Sequence, residues 1–153
     1  MLRVINQGIE AYVIIRPAAH TDGTEVVHLA NSLSSVSGAL PDIESYFDAL
    51  IEADGHRIWV AEIDGAIIGW LHAFVALRVG VAPFVEIGGL VVEEDGRRAQ
   101  VGSNLVRQAA EWAKSGEWAL RVRCNSMRES AHCFYQAIGF QYLKQQHVFE
   151  FNL

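Results

Sequence analysis

The sequence predicts an α/β sandwich around one mixed sheet, and three observations carry that expectation. Stretches of alternating, strand-like hydrophobicity interleave with stretches of helical period. Two strand-like runs, "RIWVAEI" and "AIIGWLHAFV", meet at Asp64-Gly65, a strong signal for a hairpin closed by a type I′ turn. A further strand, "PFVEIGGLVV" (83–92), runs through a short charged loop into a helix beginning at Val101. The predicted order is strand, two helices, three strands, helix, strand, helix, two strands.

Each element has a local reason. "AYVIIRP" (11–17) is a strand ended by Pro17. Asp22, with Glu25 three residues on, reads as a capping-box start to a helix through "DGTEVVHLANSL". "SSVSGA" (34–39) is a small-residue loop. In "PDIESYFDALIEADG", Ile43, Phe47, Leu50 and Ile51 share one helical face, and Gly55 is the stop. Gly88-Gly89 within a strand suggests a bulge or a close backbone approach. Val101, Leu105, Ala109 and Trp112 form one face of the next helix. "WALRVRC" (118–124) is a strand, and "SMRE" (126–129) is a capping box for a helix with Ala131, Phe134, Tyr135 and Ile138 on one face and Gly139 at its end. "FQYLK" and "HVFEFNL" are expected as two terminal strands; the spacing of Phe149, Phe151 and Leu153 makes one face of the last apolar, as core or as a homodimer contact.

Composition bounds the function. The chain has 153 residues, 51% hydrophobic and 20% charged, which suits a single globular domain with a real core. A net charge of −6 argues against a general nucleic-acid binder. No apolar run reaches membrane-spanning length, and "MLRVINQGIE" lacks the apolar core of a signal peptide, so the expected location is cytoplasmic. Cys124 and Cys133 form no CxxC pair and read as reduced, mostly buried thiols. His72, His132 and His147 stand without HxH or HExxH spacing, so no metal site is expected.

Three constellations could carry chemistry. The loop "EEDGRRAQVGS" joins a strand to a helix N-terminus, where free N–H groups and the positive end of the helix dipole suit an anion. It matches neither GxxxxGK[ST] nor GxGxxG, so on spacing alone a solvated turn is an equal reading. Glu86 interrupts an apolar strand and, by simple alternation, shares a face with Phe84, Gly88 and Leu90. It reads either as a general base in a cleft or as the partner of an arginine. Tyr135 lies on an apolar helical stripe, where a core tyrosine is the default. Asn125 reads most simply as a turn residue.

Together these segments resemble the GNAT superfamily of acetyl-CoA-dependent N-acetyltransferases. "IIRPAAHTD" is similar to the family's opening strand, "EIGGLVVEEDGRRAQVGSNLVRQAAEWA" to its coenzyme-binding segment, and "NSMRESAHCFYQAIGF" to its later N…A…FY…GF motif. The resemblance implies a mostly antiparallel sheet that splays between the fourth and fifth strands, flanked by helices. It implies that Leu90, Val91 and Val92 pair their backbone with the pantetheine arm of coenzyme A. It implies that Arg97, Arg98, Ala99, Gln100, Val101, Gly102 and Ser103 hold the pyrophosphate, with Asn125 near the coenzyme arm. Gln100 departs from the family's R/Q-x-x-G-x-G/A pattern at the middle glycine. A side chain there costs something only if the backbone needs positive φ or the phosphate sits against Cα.

The implied activity is transfer of acetyl from acetyl-CoA to a primary amine of a small molecule, by direct attack and without a metal. Glu86 is the candidate base and Tyr135 the candidate acid for the departing thiolate. The loops 33–41 and 76–83, the helix starting near Asp42 and the final hairpin around Lys144–His147 could border the acceptor pocket; Asp42, Glu44 and Asp48 there read either as attracting a cationic amine or as a solvated helix face. A catalytically silent acyl-CoA-binding domain, and an enzyme acting on a protein or peptide amine, are the alternatives.

Overall fold

The computed structural model describes residues 2–6, 9–33, 43–93 and 100–152. The chain divides into two compact units, Met1–Arg123 and Cys124–Leu153, each taken by itself.

The first unit is a six-stranded sheet whose strands lie side by side in chain order. They are β1 (Leu2–Asn6), β2 (Ile9–Pro17), β3 (His56–Ile63), β4 (Ala66–Arg78), β5 (Val81–Val92) and β6 (Ala119–Val122). The pairs from β1 to β5 are antiparallel, and β6 joins β5 in parallel. The helices are α1 (Gly23–Leu33), preceded by a 3-10 turn at His20–Asp22, α2 (Ile43–Glu52) and α3 (Val101–Ser115). This is the α/β architecture the sequence predicts, with β1 added: the alternation of Leu2 and Val4 is a strand signal that pairs in register with β2.

Asp64 and Gly65 have φ of 50° and 84°, the two positive values a type I′ turn requires, and Ile63 stands opposite Ala66. The segment 76–83, expected as a loop, is instead a second tight hairpin: Arg78 pairs with Val81, and Gly80 takes φ 77°.

The two faces of the sheet are covered by different helices. Ile58, Val60 and Ile67 pack with Val26 of α1 and Phe47 of α2 in one buried cluster, against which Leu50, Ile51 and Trp70 also rest. Trp59, pointing the other way along β3, meets Trp112 of α3 with ring centroids 6.0 Å apart. Val101, Leu105 and Ala109 of α3 are fully buried, as their spacing predicts. Asp22 does not serve as a simple cap. Its carboxylate accepts both terminal nitrogens of Arg16, at 2.7 and 2.9 Å, and the backbone N–H of Ala19 at 2.7 Å. The guanidinium holds the Asp22 carboxyl below its usual range, and Arg16 also donates to Glu62 at 2.8 Å. That network gives "IRPAAHTD" its physical meaning: it ties β2, β3 and the turn before α1 together.

The second unit holds one helix, α4 (Glu129–Ala137), closed by Gly139 at φ 104°. It starts later than the expected capping box, because Asn125 forms the turn itself: its side-chain oxygen accepts the Met127 N–H at 2.9 Å. The two expected terminal strands are absent, since residues 140–152 form no strand. Alternating apolar residues make a strand only when a neighbour takes their backbone groups, and here Tyr142, Leu143, Val148, Phe149 and Phe151 are exposed. Cys124 and Cys133 are free, as expected, but both are exposed rather than buried.

Candidate active site

β5 changes character halfway along. From Phe84 to Ile87 it pairs with β6, Phe84 opposite Ala119 and Ile87 opposite Val122, and there the register stops. Residues 88–91 therefore continue along β4 without β6 alongside. This is the expected splay; the extra N-terminal strand moves it from between the fourth and fifth strands to between β5 and β6.

The opening coincides with a bulge. Ile87 faces Ala73 and Gly89 faces His72, so Gly88 is the extra residue. Both glycines are required by close neighbours: a Cβ on Gly88 would lie 3.1 Å from His72 Nδ1, and one on Gly89 would lie 2.8 Å from the Trp70 ring. The extra residue also resets the alternation. Glu86 stands opposite Phe74 while Leu90 stands opposite Leu71, so the two occupy opposite faces, not the shared face that simple alternation predicts.

Glu86 is 4% exposed and is held by arginines. Arg123 Nε donates to one carboxylate oxygen, and Arg78 lies 3.7 Å from the other. Of the two readings that the sequence left open, the arginine partner is the one seen, and the carboxylate lies one residue before the β5–β6 pairing ends. Beside it, the guanidinium carbon of Arg121 lies 4.1 Å over the Phe84 ring and that of Arg78 lies 5.4 Å from it. Arg121 and Arg123 are candidates for a basic patch from the sequence alone, but Arg78 joins them only through the sheet, from the β4–β5 hairpin.

Histidines also gather where the sequence shows only isolated ones. His72 Nε2 and His56 Nδ1 are 3.0 Å apart, one donating to the other, with rings stacked at 11°. Burial, with His56 adding to it, brings His72 down to about 4, so its ring is neutral near pH 7. Sequence spacing cannot reveal this pair; the β3–β4 register can, because His56 faces Phe74 and His72 is the next residue on that face.

At the far end of β5, Arg97, Arg98 and Ala99 lie outside the described residues, while Gln100 to Ser103 are defined. Gln100 precedes α3 in the left-handed conformation, φ 59° and ψ 23°, which is where a glycine would be at ease. Its carbonyl accepts the hydroxyl of Ser103 and the side-chain amide of Asn104, both at 2.8 Å. Its own side chain makes no capping bond to the first turn of α3. Leu90, Val91 and Val92 lie on the segment beyond the bulge.

Asn125 and Tyr135 belong to the second unit. Tyr135 meets Phe134 and Phe140 edge to face, at 5.1 and 5.4 Å. Burial, and secondarily Cys124, pushes its phenol up to about 12, so it keeps its proton. Asp48, considered as an attractor of cations, is taken by His20 at 2.7 Å; Asp42 lies outside the described residues and the side chain of Glu44 is likewise not described. Among the described residues no cluster of metal-ligating side chains occurs, and no helix is long and apolar enough to cross a membrane.

A sheet forked beside a bulge, in a strand followed along the chain by a long helix, is the arrangement that the resemblance to acyl-coenzyme-using transferases implies. The family model described as "Acetyltransferase (GNAT) domain" matches residues 54–142, more than half of the chain, and the chain belongs to that family of acyltransferases. The search of curated proteins finds no match. Among solved structures, the chain is similar to the aminoglycoside 6'-N-acetyltransferase AAC(6')-Ih from Acinetobacter baumannii, with TM-score 0.81 and 20% identity over 93% of this chain and 99% of that one. It is similar to AAC(6')-Iy in complex with CoA, with TM-score 0.82 and 19% identity over 94% and 97%. It is also similar to the BH1408 protein of Bacillus halodurans, with TM-score 0.76 and 20% identity over 90% and 99%. At these identities the likeness is one of fold.

Proposed function

We propose that the whole chain is one N-acetyltransferase domain that moves the acetyl group of acetyl-CoA to a primary amine of a small molecule. One observation carries the reading: the β5–β6 pairing ends at Ile87 and Val122 while a bulge opens at Gly88. That leaves a strand edge for the amide-bearing arm of the coenzyme to pair with, in the manner of an added strand. The pyrophosphate would meet the N-terminus of α3 through Gln100–Ser103, together with Arg97, Arg98 and Ala99. The solved relative AAC(6')-Iy, in complex with CoA, supports coenzyme A as the carrier.

In the proposed step the amine nitrogen attacks the thioester carbon and forms a tetrahedral intermediate. Backbone N–H groups near Leu90 stabilise its oxyanion. The amine's proton leaves to Glu86 through a water, since guanidinium groups already occupy part of the carboxylate. The C–S bond breaks, and Tyr135, which holds its proton well beyond neutral pH, delivers it to the thiolate. Asn125 steadies the coenzyme arm.

The test is release of free thiol from acetyl-CoA in the presence of primary amines. Tyr135→Phe is expected to lower kcat by about 100-fold or more with acetyl-CoA affinity nearly unchanged; full activity would remove Tyr135 from the mechanism. Tight coenzyme binding with no thiol release on any amine would favour a silent acyl-CoA-binding domain. Activity confined to peptide amines would move the acceptor to the protein class.

A further inference from the structure

On the acetyltransferase reading Glu86 takes the proton of the acceptor amine through a water, so the acceptor sits near the surface around Glu86. That surface is positive, in a chain whose net charge is −6. Arg78 and Arg123 both contact the single Glu86 carboxylate, and Arg121 stands beside Glu86 in the β6 register. Among the described residues no other carboxylate forms an ion pair with any of the three. Three guanidinium charges thus face one carboxylate charge.

The geometry is also prepared for a ligand. Phe84 is 3% exposed and forms a fixed floor under Arg121. A guanidinium stacked on a ring keeps its N–H donors pointing outward in its own plane, where they match the two oxygens of a carboxylate. The arginine side chains lead outward from this buried base, with Arg78 and Arg123 46% and 59% exposed. Glu86 shows that the cluster accepts a carboxylate.

We propose that Arg121, with Arg78 and Arg123, selects an acceptor that carries a carboxylate as well as its amine, so that the preferred substrate is of the amino-acid type and not a polycation. The phosphates of the coenzyme are a poor match for this position. On the same reading they belong with the N-terminus of α3, and five residues of β5 separate Glu86 from Val92, about 20 Å of strand.

The experiment compares amino acids with their carboxamides, and with a polycationic amino sugar, in the thiol-release assay on the full chain. The parent is expected to favour the acid over its carboxamide in kcat/KM. Arg121→Gln is expected to shrink that ratio by about tenfold, in keeping with the loss of one charge-assisted pair. Comparing the ratio between parent and variant cancels the intrinsic difference in amine basicity. Arg121→Lys, which keeps the charge and loses the fork, should restore only part of it. An unchanged ratio, with equal losses on acid and carboxamide, would make Arg121 a packing residue and overturn the proposal. So would a preference of the parent for the polycation, or a weakened acetyl-CoA affinity in the variant. No turnover on any amine, with acetyl-CoA still bound, would fell the acetyltransferase reading itself and the proposal with it. That outcome is told apart because it appears in the parent, before any substitution.

Discussion

Phe84–Ile87 and Gly88–Val92 are successive stretches of one strand, yet they are built differently. The first has β4 on one side and β6 on the other, and all four of its residues are buried. The second begins with an exposed glycine, and the β6 register has already stopped. A strand held on both sides fixes its side chains, and here it fixes a carboxylate and the arginines around it. A strand released on one side offers backbone instead. The bulge at Gly88 is the joint, and it lets the two stretches present different faces within a few residues.

The sharpest way to break that contrast is at the paired stretch. Glu86→Gln is expected to lower kcat by about 100-fold, with part of the loss returning as the pH is raised and more of the amine is deprotonated unaided. A pH–rate profile parallel to the parent's would show that the paired stretch supplies structure and no chemistry.

A second test concerns the ring that covers the joint. His72 sits at about 4 in the folded chain against 6.5 in the unfolded one. The unfolded state therefore binds the proton first, and stability should fall as pH drops from about 6.5 toward 4, by roughly 2–3 kcal/mol. His72→Asn should flatten the urea-denaturation midpoint across that window. An unaltered slope would mean that the histidine is not held neutral by its surroundings.

The two glycines can be ranked. Gly89→Ala brings a Cβ within 2.8 Å of the Trp70 ring, and Gly88→Ala within 3.1 Å of His72. Overpacking at Gly89 should cost about 1–3 kcal/mol in chemical denaturation, and more than the change at Gly88. The reverse order would place the tighter half of the joint at Gly88.

The smallest effect is expected at the entrance to α3. Gln100→Gly relieves a left-handed φ of 59° and should raise stability by about 0.5–1 kcal/mol, with only a modest change in acetyl-CoA affinity. A large gain in affinity would show instead that the glutamine side chain obstructs the coenzyme.

Local signals in the sequence proved good guides to local structure. Asp64-Gly65 names its turn because Asp and Gly both tolerate the positive φ that a type I′ turn requires at its two central positions. Gly88-Gly89 marks the bulge, where a Cβ would crowd His72 and the Trp70 ring. What depends on register between strands was hidden. The pairing of His56 with His72, the gathering of Arg78 with Arg121 and Arg123, and the separation of Glu86 from Leu90 onto opposite faces all follow from partners far apart in the chain. The terminal segments failed for a related reason: "FQYLK" and "HVFEFNL" have the strand period, but period alone supplies no partner. The candidate chemical residues were legible chiefly through motif resemblance, and Glu86 could be chosen from composition because a carboxylate is costly inside an apolar strand.

The parallel seam between β5 and β6 has a consequence for how the molecule is made. Every other neighbouring pair in the sheet is antiparallel, and β3, β4 and β5 follow one another through turns of a few residues. Strand β6 can join only after the whole of α3 has been laid across the sheet, which raises the loop-closure cost of that last contact. During synthesis, a chain halted before Ala119 should already hold the antiparallel meander but lack the fork. Protection of β6 amides from hydrogen exchange should therefore arrive last, so a molecule caught early would be a scaffold that has not yet acquired its opening.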